Sequence, residues 1–254
     1  MKMSLKEKIN NRQFTLGSWI TLGHSSIAEI MAQAGFDWLT IDMEHSAITL
    51  SEAQNLIQVI ELSGVTPLVR VGENNPYLIK RVMDAGAHGV IVPMVNSADD
   101  AQKAVKSVKY PPYGFRGVGL ARAQKYGAGF ENYKKWCEKE SIVIVQIEHI
   151  DAVNNIESIL SVEGVDGFII GPYDLSGSMG KPGEFTDAAF LAAVTKVKNA
   201  AARHNSLSGY HVIAPDVGEL NEKKNDGYKF VAFSLDTMFL GQTCRNLVTE
   251  IRRS

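Results

Sequence analysis

Short apolar runs rich in β-branched residues recur along the chain and alternate with amphipathic stretches. Continuous apolar runs of this length are typical of strands in a parallel sheet, because both faces of such a sheet are covered. We predict eight strands on this basis. They are TLGSWI (15–20), WLTIDM (38–43), TPLVRV (66–71), GVIVPM (89–94), SIVIVQIE (141–148), GFIIG (167–171), SLSGYHV (206–212) and KFVAFS (229–234).

Stretches between these strands have apolar residues at helical spacing. SEAQNLIQVIELSG predicts a helix with Ser51 as its N-cap and Gly64 as its stop. NPYLIKRVMDAGAHG predicts a second helix, with Pro76 in the first turn and Gly86 just beyond the end. AAFLAAVTKVKNAAARHN predicts a third helix before the seventh strand.

Eight strands that alternate with helices over 254 residues predict an α/β fold, a (β/α)8 TIM barrel, as a single domain over residues 1–254. The alternative, an open doubly wound sheet, usually carries GxGxxG after its first strand, and SWITLGHSS does not. The segment 110–140 is rich in Gly, Pro and Tyr. We expect it to be a long loop after a strand, at the end of the barrel where catalytic loops lie.

Composition adds mainly exclusions. The formal net charge is −2 and the charges are interspersed, so we expect neither a nucleic-acid nor a membrane surface. The first residues lack the apolar core of a signal peptide, and no apolar run is long enough to span a bilayer. Cys137 and Cys244 form no CxxC pair and are expected to be ordinary thiols. A cytoplasmic protein is expected.

Polar side chains follow several predicted strands at the point where each strand ends. They are Asp42, Glu44 and His45 after the second strand, Arg70 on the third, Gln146, Glu148 and His149 after the fifth, and Asp174 after the sixth. In a barrel these strand ends converge on one mouth. Taken alone, each has an ordinary explanation, such as helix capping by Glu148 or an Asx turn at Asp174. His211 could face the mouth, but a structural role is expected.

The combination of these residues favours metal-assisted chemistry. Mg²⁺ takes oxygen ligands, often one or two carboxylates completed by water and substrate, and Glu148 and Asp174 supply such a pair. His45 can move a proton near neutral pH, and Arg70 can hold an oxyanion. The amides of GPYDLS could bind a carboxylate. No lysine falls clearly at a strand end to form a Schiff base, so metal-dependent enolate chemistry is favoured.

Several motifs follow one another in order over nearly the whole chain. They are AEIMAQAGFDWLTIDMEHSAI, PLVRVGENNP, DAGAHGVIVPMVNSADDA, KYPPYGFRGVG, VQIEH and GPYDLSGSMG. Together they resemble the class II pyruvate aldolases of the HpcH/HpaI family. The resemblance implies a (β/α)8 barrel that holds Mg²⁺, Mn²⁺ or Co²⁺ at Glu148 and Asp174 and has no organic cofactor. It implies reversible cleavage of a 4-hydroxy-2-oxo acid to pyruvate and an aldehyde through a metal-bound pyruvate enolate.

The resemblance also implies roles for individual residues. His45 would remove a proton from the pyruvate methyl group, and Arg70 would stabilise the enolate oxygen. Gln146 and the amides near Tyr173 and Asp174 would help to hold pyruvate. A homo-oligomer, a hexamer, is what the resemblance suggests for the assembly.

One implied residue, Asp84 in MDAGAHG, matches an aspartate that makes the catalytic histidine more basic. The strand map places Asp84 at the end of a helix that leads into the fourth strand, at the opposite end of the barrel from His45. Contribution of Asp84 from a neighbouring subunit would reconcile the two, and the alternative is a solvated residue near a helix end. Asp42 is the other candidate to orient His45 or to lie behind the metal site, and Glu44 is expected to position the loop.

The acceptor aldehyde stays open. Tyr173 stands where a small residue or Asn is common in the family, and EHSAIT also departs from the best-known members. Two other functions stay open as well. One is a citramalyl- or malyl-thioester lyase, with Arg116, Arg122 and Lys125 holding coenzyme A. The other is a barrel that binds a ketoacid without turning it over.

Overall fold

A computed structural model describes residues 3–253 and contains a closed barrel of parallel strands. Each strand pairs with the next one in the chain, and the eighth closes the barrel on the first. The single-domain (β/α)8 TIM barrel predicted from the sequence is therefore confirmed. The strands are β1 Thr15–Ile20, β2 Trp38–Asp42, β3 Thr66–Arg70, β4 Gly89–Val92, β5 Ile142–Ile147, β6 Gly167–Ile170, β7 Leu207–Val212 and β8 Phe230–Leu235.

Helices surround this barrel. They are α1 Leu5–Asn10, α2 Ser25–Gln33, α3 Leu50–Leu62, α4 Pro76–Ala85, α5 Ala98–Val108, α6 Phe130–Lys139, α7 Ile150–Asn154, α8 Ile156–Leu160, α9 Pro172–Ser178, α10 Ala188–Arg203, α11 Val217–Asn225 and α12 Asp236–Ile251, with a short 3₁₀ turn at Arg122–Gln124. Over the part of the chain that the structure describes, none of these helices has the length and apolar character needed to cross a membrane.

Two apolar layers hold the barrel together. The larger lies between the strands and the surrounding helices. The smaller takes side chains from every strand and two from α1, which identifies it as the barrel interior. Within it the rings of Trp38 and Phe230 stack with centroids 4.1 Å apart. Gly17 makes room for this stack, because a Cβ there would lie 2.0 Å from the Trp38 ring.

Helix boundaries agree with the sequence at α4 and differ at α3. In α4, Pro76 is in the first turn and Gly86 ends the helix with a φ of 107°. The predicted cap of α3, Ser51, is wrong. Thr49 is the N-cap, and its hydroxyl accepts a hydrogen bond from the backbone N–H of Glu52, whose carboxylate in turn accepts from the N–H of Thr49.

The prediction for segment 110–140 is also wrong. Helix α5 follows β4 directly, so the segment comes after a helix and leads into β5. Its second half forms α6, and Arg122 donates a hydrogen bond to the carbonyl oxygen of Ala85, just before β4 begins. The segment therefore lies toward the amino ends of the strands and not at the predicted mouth.

Candidate active site

Asp42 and Arg70 form the central ion pair at the carboxyl ends of β2 and β3, where they are register partners. Arg70 donates from Nε and Nη2 to the two Asp42 oxygens, at 2.9 and 2.6 Å. Burial alone would raise the pKa of Asp42, but the hydrogen bonds and charge of Arg70 outweigh burial, and the pKa lies below its usual value. The Arg70 guanidinium also lies 4.5 Å from the centre of the Trp19 ring.

Asp42 also fixes the loop that follows β2. Its Oδ1 accepts hydrogen bonds from the backbone N–H groups of Glu44 and His45, at 3.0 and 3.2 Å. Asp42 therefore holds the loop, a role that the sequence analysis expected of Glu44. Because these bonds reach the backbone of His45, Asp42 places that residue without touching its ring.

Glu44 points into the site instead. One of its oxygens lies 3.3 Å from Arg70 Nη1 and 3.7 Å from His45 Nε2. Burial raises the pKa of Glu44 to about 7, although the charge of Arg70 opposes this. The His45 side chain is 61% exposed, so the histidine stands at the rim of the site, where a substrate can reach it.

Glu148 follows β5 and is almost fully buried. One oxygen accepts a hydrogen bond from the N–H of Met94 at 2.6 Å, and the other accepts from the side-chain amide of Gln146. Burial, with nearby Glu44 and Asp174, raises the pKa of Glu148 to about 7. Glu148 does not cap the next helix, because His149 does so through Nδ1.

Helix α9 begins directly after β6 and brings Tyr173 and Asp174 to the same mouth. Gly171, which precedes the helix, permits a close approach. A Cβ on Gly171 would lie 3.1 Å from Gln146 Nε2 and 3.3 Å from Glu148 Oε2. The Tyr173 ring packs edge-on against Phe185, with centroids 4.9 Å apart, so the tyrosine leans toward the loop after α9.

A cavity of about 160 Å³ joins these elements. The predicted site residues that line it are His45, Arg70, Gln146, Tyr173 and Asp174. Trp19 and His211 line it too. His211 was not among the predicted site residues, and its place at the end of the seventh predicted strand was the one signal in the sequence. A larger cavity of about 570 Å³ is lined by Glu61, His88 and Trp136 beside the 110–140 segment, away from these residues.

The donor set at the mouth fits a hard divalent cation. Within residues 3–253 no group of three or more His, Cys, Asp and Glu side chains is arranged to hold a metal. Burial is the main reason that the pKa of Glu148 is raised, and the charges of Glu44 and Asp174 add to it, so a cation held by Glu148 and Asp174 would stabilise both carboxylates. Gln146 Oε1 is a further buried oxygen that has no hydrogen-bond partner in the described part of the chain. Mg²⁺ is commonly held by one or two carboxylates, with water and substrate completing its shell.

Asp84 lies elsewhere. It belongs to the last turn of α4, which leads into the amino end of β4, whereas His45 follows the carboxyl end of β2. Its Oδ1 is buried, has no hydrogen-bond partner among the described residues and lies 3.6 Å from Arg116 Nη2. Burial raises the pKa of Asp84. One copy of the chain therefore does not bring Asp84 to the mouth, in agreement with the strand map.

The basic residues of segment 110–140 are partly committed to the fold. Arg116 is buried and donates hydrogen bonds to the hydroxyl groups of Tyr110 and Tyr133, both at 2.8 Å. Arg122 pairs with Glu61. These contacts, and the position of the segment, weigh against a coenzyme A site formed with these arginines at the mouth.

A parallel barrel with ionisable side chains at the carboxyl ends of its strands is the arrangement of TIM-barrel enzymes. The chain belongs to the HpcH/HpaI aldolase/citrate lyase family, whose model matches residues 15–242. It is 37% identical over 239 residues to a 2-keto-3-deoxy-L-rhamnonate aldolase of Escherichia coli, covering 92% of this chain and 87% of the relative. It is 32% identical to a hydroxypyruvate/pyruvate aldolase of Roseobacter denitrificans, covering 97% and 96%.

Solved structures agree with this assignment. A HpcH/HpaI aldolase/citrate lyase family protein from Burkholderia cenocepacia superposes with a TM-score of 0.92 at 32% identity, covering 98% of each chain. A citrate lyase beta subunit from M. tuberculosis, complexed with oxaloacetate and magnesium, has a TM-score of 0.60 at 14% identity, covering 90% of this chain and 95% of that one, and shows the fold alone. The protein is an enzyme of the aldolase type, a lyase.

Proposed function

We propose that the protein is a metal-dependent aldolase that reversibly cleaves a 4-hydroxy-2-oxo acid into pyruvate and an aldehyde through the enolate of pyruvate. The observation that carries this proposal is the convergence of His45, Arg70, Gln146 and Asp174 on one small cavity, with Glu148 bound to Gln146. We also propose that residues 1–254 form one domain and that the enzyme acts in the cytoplasm.

Glu148 and Asp174 would hold the metal, a divalent cation such as Mg²⁺, Mn²⁺ or Co²⁺. When bound, the ion supplies a Lewis acid that polarises the carbonyl group of the substrate. The amide of Gln146 and the backbone N–H groups at Tyr173 and Asp174 would donate hydrogen bonds to the pyruvate carboxylate. These contacts orient the methyl group of pyruvate toward the rim of the site.

His45 and Arg70 would carry the proton and the developing charge. His45 stands at the rim and takes a proton from the methyl carbon of pyruvate. Arg70, held by Asp42, donates hydrogen bonds to the oxygen that becomes negative as the proton leaves. In the cleavage direction the same groups act in the reverse order.

Asp84 would act from a neighbouring copy of the chain. Two features support this proposal. Asp84 carries a buried oxygen without a hydrogen-bond partner among residues 3–253, and it lies beside Gly119, whose neighbours Val118 and Leu120 are exposed. Apolar exposure next to a carboxylate whose hydrogen bonds are incomplete among the described residues is the kind of surface that a second subunit covers. A homo-oligomer, a hexamer by family resemblance, is the assembly we propose.

Exchange of the pyruvate C3 hydrogens in D₂O, followed by NMR, tests proton abstraction without knowledge of the aldehyde. We expect exchange with Mg²⁺, Mn²⁺ or Co²⁺ and none with EDTA. His45→Ala and Glu148→Ala should each abolish it, because one removes the base and the other a metal ligand. His204→Ala is the matched control, since His204 pairs with Glu157 outside the cavity. Folded protein that exchanges with no metal would contradict the proposal and favour the ketoacid-binding or thioester-lyase alternatives.

A further inference from the structure

His211 lies on β7 and lines the cavity that also contains Arg70 and Asp174. Its Nε2 atom is buried and has no hydrogen-bond partner among the described residues. The ring lies against Trp19, with centroids 5.3 Å apart and the planes inclined by 48°. A buried polar atom without a partner is costly in a folded protein, so its presence in a ligand cavity calls for a ligand group.

The protonation state of His211 is defined by its surroundings. The ring donates a hydrogen bond to the backbone carbonyl oxygen of Ser234, and this bond favours a proton on the ring nitrogen that makes it. Because Nε2 is the atom without a partner, that bond uses Nδ1, which leaves Nε2 with a lone pair. Burial and the charge of Arg70 lower the pKa of His211 to about 3, so the ring is neutral near pH 7.

Ser234 fixes this arrangement. It adopts a left-handed backbone conformation with a φ of 52°, which is uncommon for a residue with a side chain. Its hydroxyl donates a hydrogen bond to the carbonyl oxygen of Ile213 at 3.0 Å, and its own carbonyl oxygen accepts one from Ser18 at 3.1 Å. These two hydrogen bonds fix Ser234, and with it the backbone carbonyl oxygen that accepts from the His211 ring.

These facts limit what His211 Nε2 can bind. A neutral ring with so low a pKa does not serve as a proton donor, and the charge of Arg70 disfavours a cation beside it. Pyruvate offers only oxygens that accept hydrogen bonds, so it has nothing to give to a lone pair. A hydroxyl group can donate a hydrogen bond to Nε2, and the substrate that can carry a hydroxyl group is the acceptor aldehyde.

We propose that Nε2 of His211 accepts a hydrogen bond from a hydroxyl group of the acceptor aldehyde and so makes the enzyme selective for hydroxyaldehydes. This assignment rests on the aldolase activity proposed above. A site that contains an acceptor for a substrate hydroxyl discriminates against an analogue without that hydroxyl, because the buried acceptor is then left unpaired.

Glycolaldehyde and propionaldehyde provide a matched pair, since a methyl group in one replaces the hydroxyl in the other. The test is the ratio of their kcat/KM values at saturating pyruvate, measured on one preparation so that the folded fraction cancels. We expect His211→Leu to lower the ratio of glycolaldehyde to propionaldehyde by about 10- to 100-fold. His211→Gln, which keeps a polar group near the position of Nε2, should restore part of it, and His204→Leu should leave it unchanged.

Two results would overturn the assignment. One is a ratio in His211→Leu equal to that of the wild type. The other is an effect on the donor ketoacid, in which His211→Leu changes the preference between hydroxypyruvate and pyruvate while propionaldehyde is the acceptor in both reactions. Failure of the aldolase activity itself would be seen separately, as wild-type protein that does not exchange the C3 hydrogens of pyruvate with any metal.

Discussion

At the scale of single residues, Asp42 has the largest structural task in the site. It neutralises the buried guanidinium of Arg70 and holds the backbone of the loop that bears His45. Asp42→Asn removes the charge and keeps the shape, which leaves the buried Arg70 with Glu44 as its nearest carboxylate, at 3.3 Å. We expect the free energy of unfolding at pH 7, measured with urea, to fall by about 3 kcal/mol. Asp226→Asn, at an exposed ion pair with Lys198, should change it by less than about 0.5 kcal/mol.

The pH dependence of this difference has a defined sign. The folded-state pKa of Asp42 is lowered, so its contribution to stability is present above the unfolded pKa of about 4 and is lost as the pH falls through the folded pKa. The contribution of Asp42 itself should therefore be lost only below about pH 4, and the gap between wild type and Asp42→Asn should narrow there. A change in the gap between pH 8 and 5 belongs to Glu44, whose pKa of about 7 is raised in part by the charge of Asp42. A gap that does not narrow below about pH 4 would contradict the role given to Asp42.

Gly171 is a second residue whose role follows from spacing alone. A Cβ at this position would lie 3.3 Å from Glu148 Oε2 and would displace either Gln146 or the carboxylate. We expect Gly171→Ala to raise the Mn²⁺ concentration needed for half-maximal pyruvate exchange by about 10-fold or more. Gly177→Ala, in the helix that follows Gly171, is the control, because the atom nearest to its new Cβ would be 4.0 Å away. Equal metal requirements in the two variants would contradict the role given to Gly171.

At the scale of elements, the N-cap of α3 is a position where the structure differs from the prediction made from the sequence. Both Thr49 and Ser51 are residues that cap helices well, and the structure selects Thr49 because its box partner Glu52 stands three residues later. Thr49→Ala should lower the free energy of unfolding by about 1 kcal/mol, and Ser51→Ala by only a few tenths. Urea unfolding of the two variants checks this, and the reverse order would support the cap predicted from the sequence.

The strands were predictable because each is a short, mostly apolar run, and several of these runs stop at or just before a polar residue, as β2 does at Asp42. That rule also placed Arg70 and Glu148 at one mouth. It failed for segment 110–140, because Gly, Pro and Tyr indicate a loop but not the end of the barrel at which it lies. Helix α5 was not predicted from the sequence, although its buried residues Ala101, Ala104, Val105 and Val108 follow helical spacing. The unpaired Nε2 of His211 could not be predicted, since it depends on packing across three strands.

At the scale of the whole molecule, large apolar side chains are exposed beside Asp84 and on α12. Phe115, Val118 and Leu120 are each more than half exposed on the segment beside Asp84. Leu240 and Leu247 are exposed to a similar degree on α12, in which Asp236 is the one buried residue among those described. Exposed apolar side chains on two separate elements are consistent with the homo-oligomer proposed above.

If Asp84 of one copy serves His45 of another, two inactive variants should restore activity when they share an oligomer. His45→Ala and Asp84→Asn can be co-expressed with different tags, and hybrids can be isolated by purification on both. Each intact site then needs His45 from one parent and Asp84 from the other, so random assembly at equal amounts should give about one quarter of the wild-type activity in pyruvate exchange.

The matched control is the pair His45→Ala and Glu148→Ala, because both residues follow strands at the mouth of the same barrel. A subunit that carries either change has a defective site, and no partner can repair it, so these hybrids should stay inactive. Hybrids of His45→Ala and Asp84→Asn that show no more activity than the sum of their parents would contradict action of Asp84 across an interface. Asp84 would then be a residue that supports α4 beside Arg116, and His45 would rely on Glu44 and Asp42 of its own barrel.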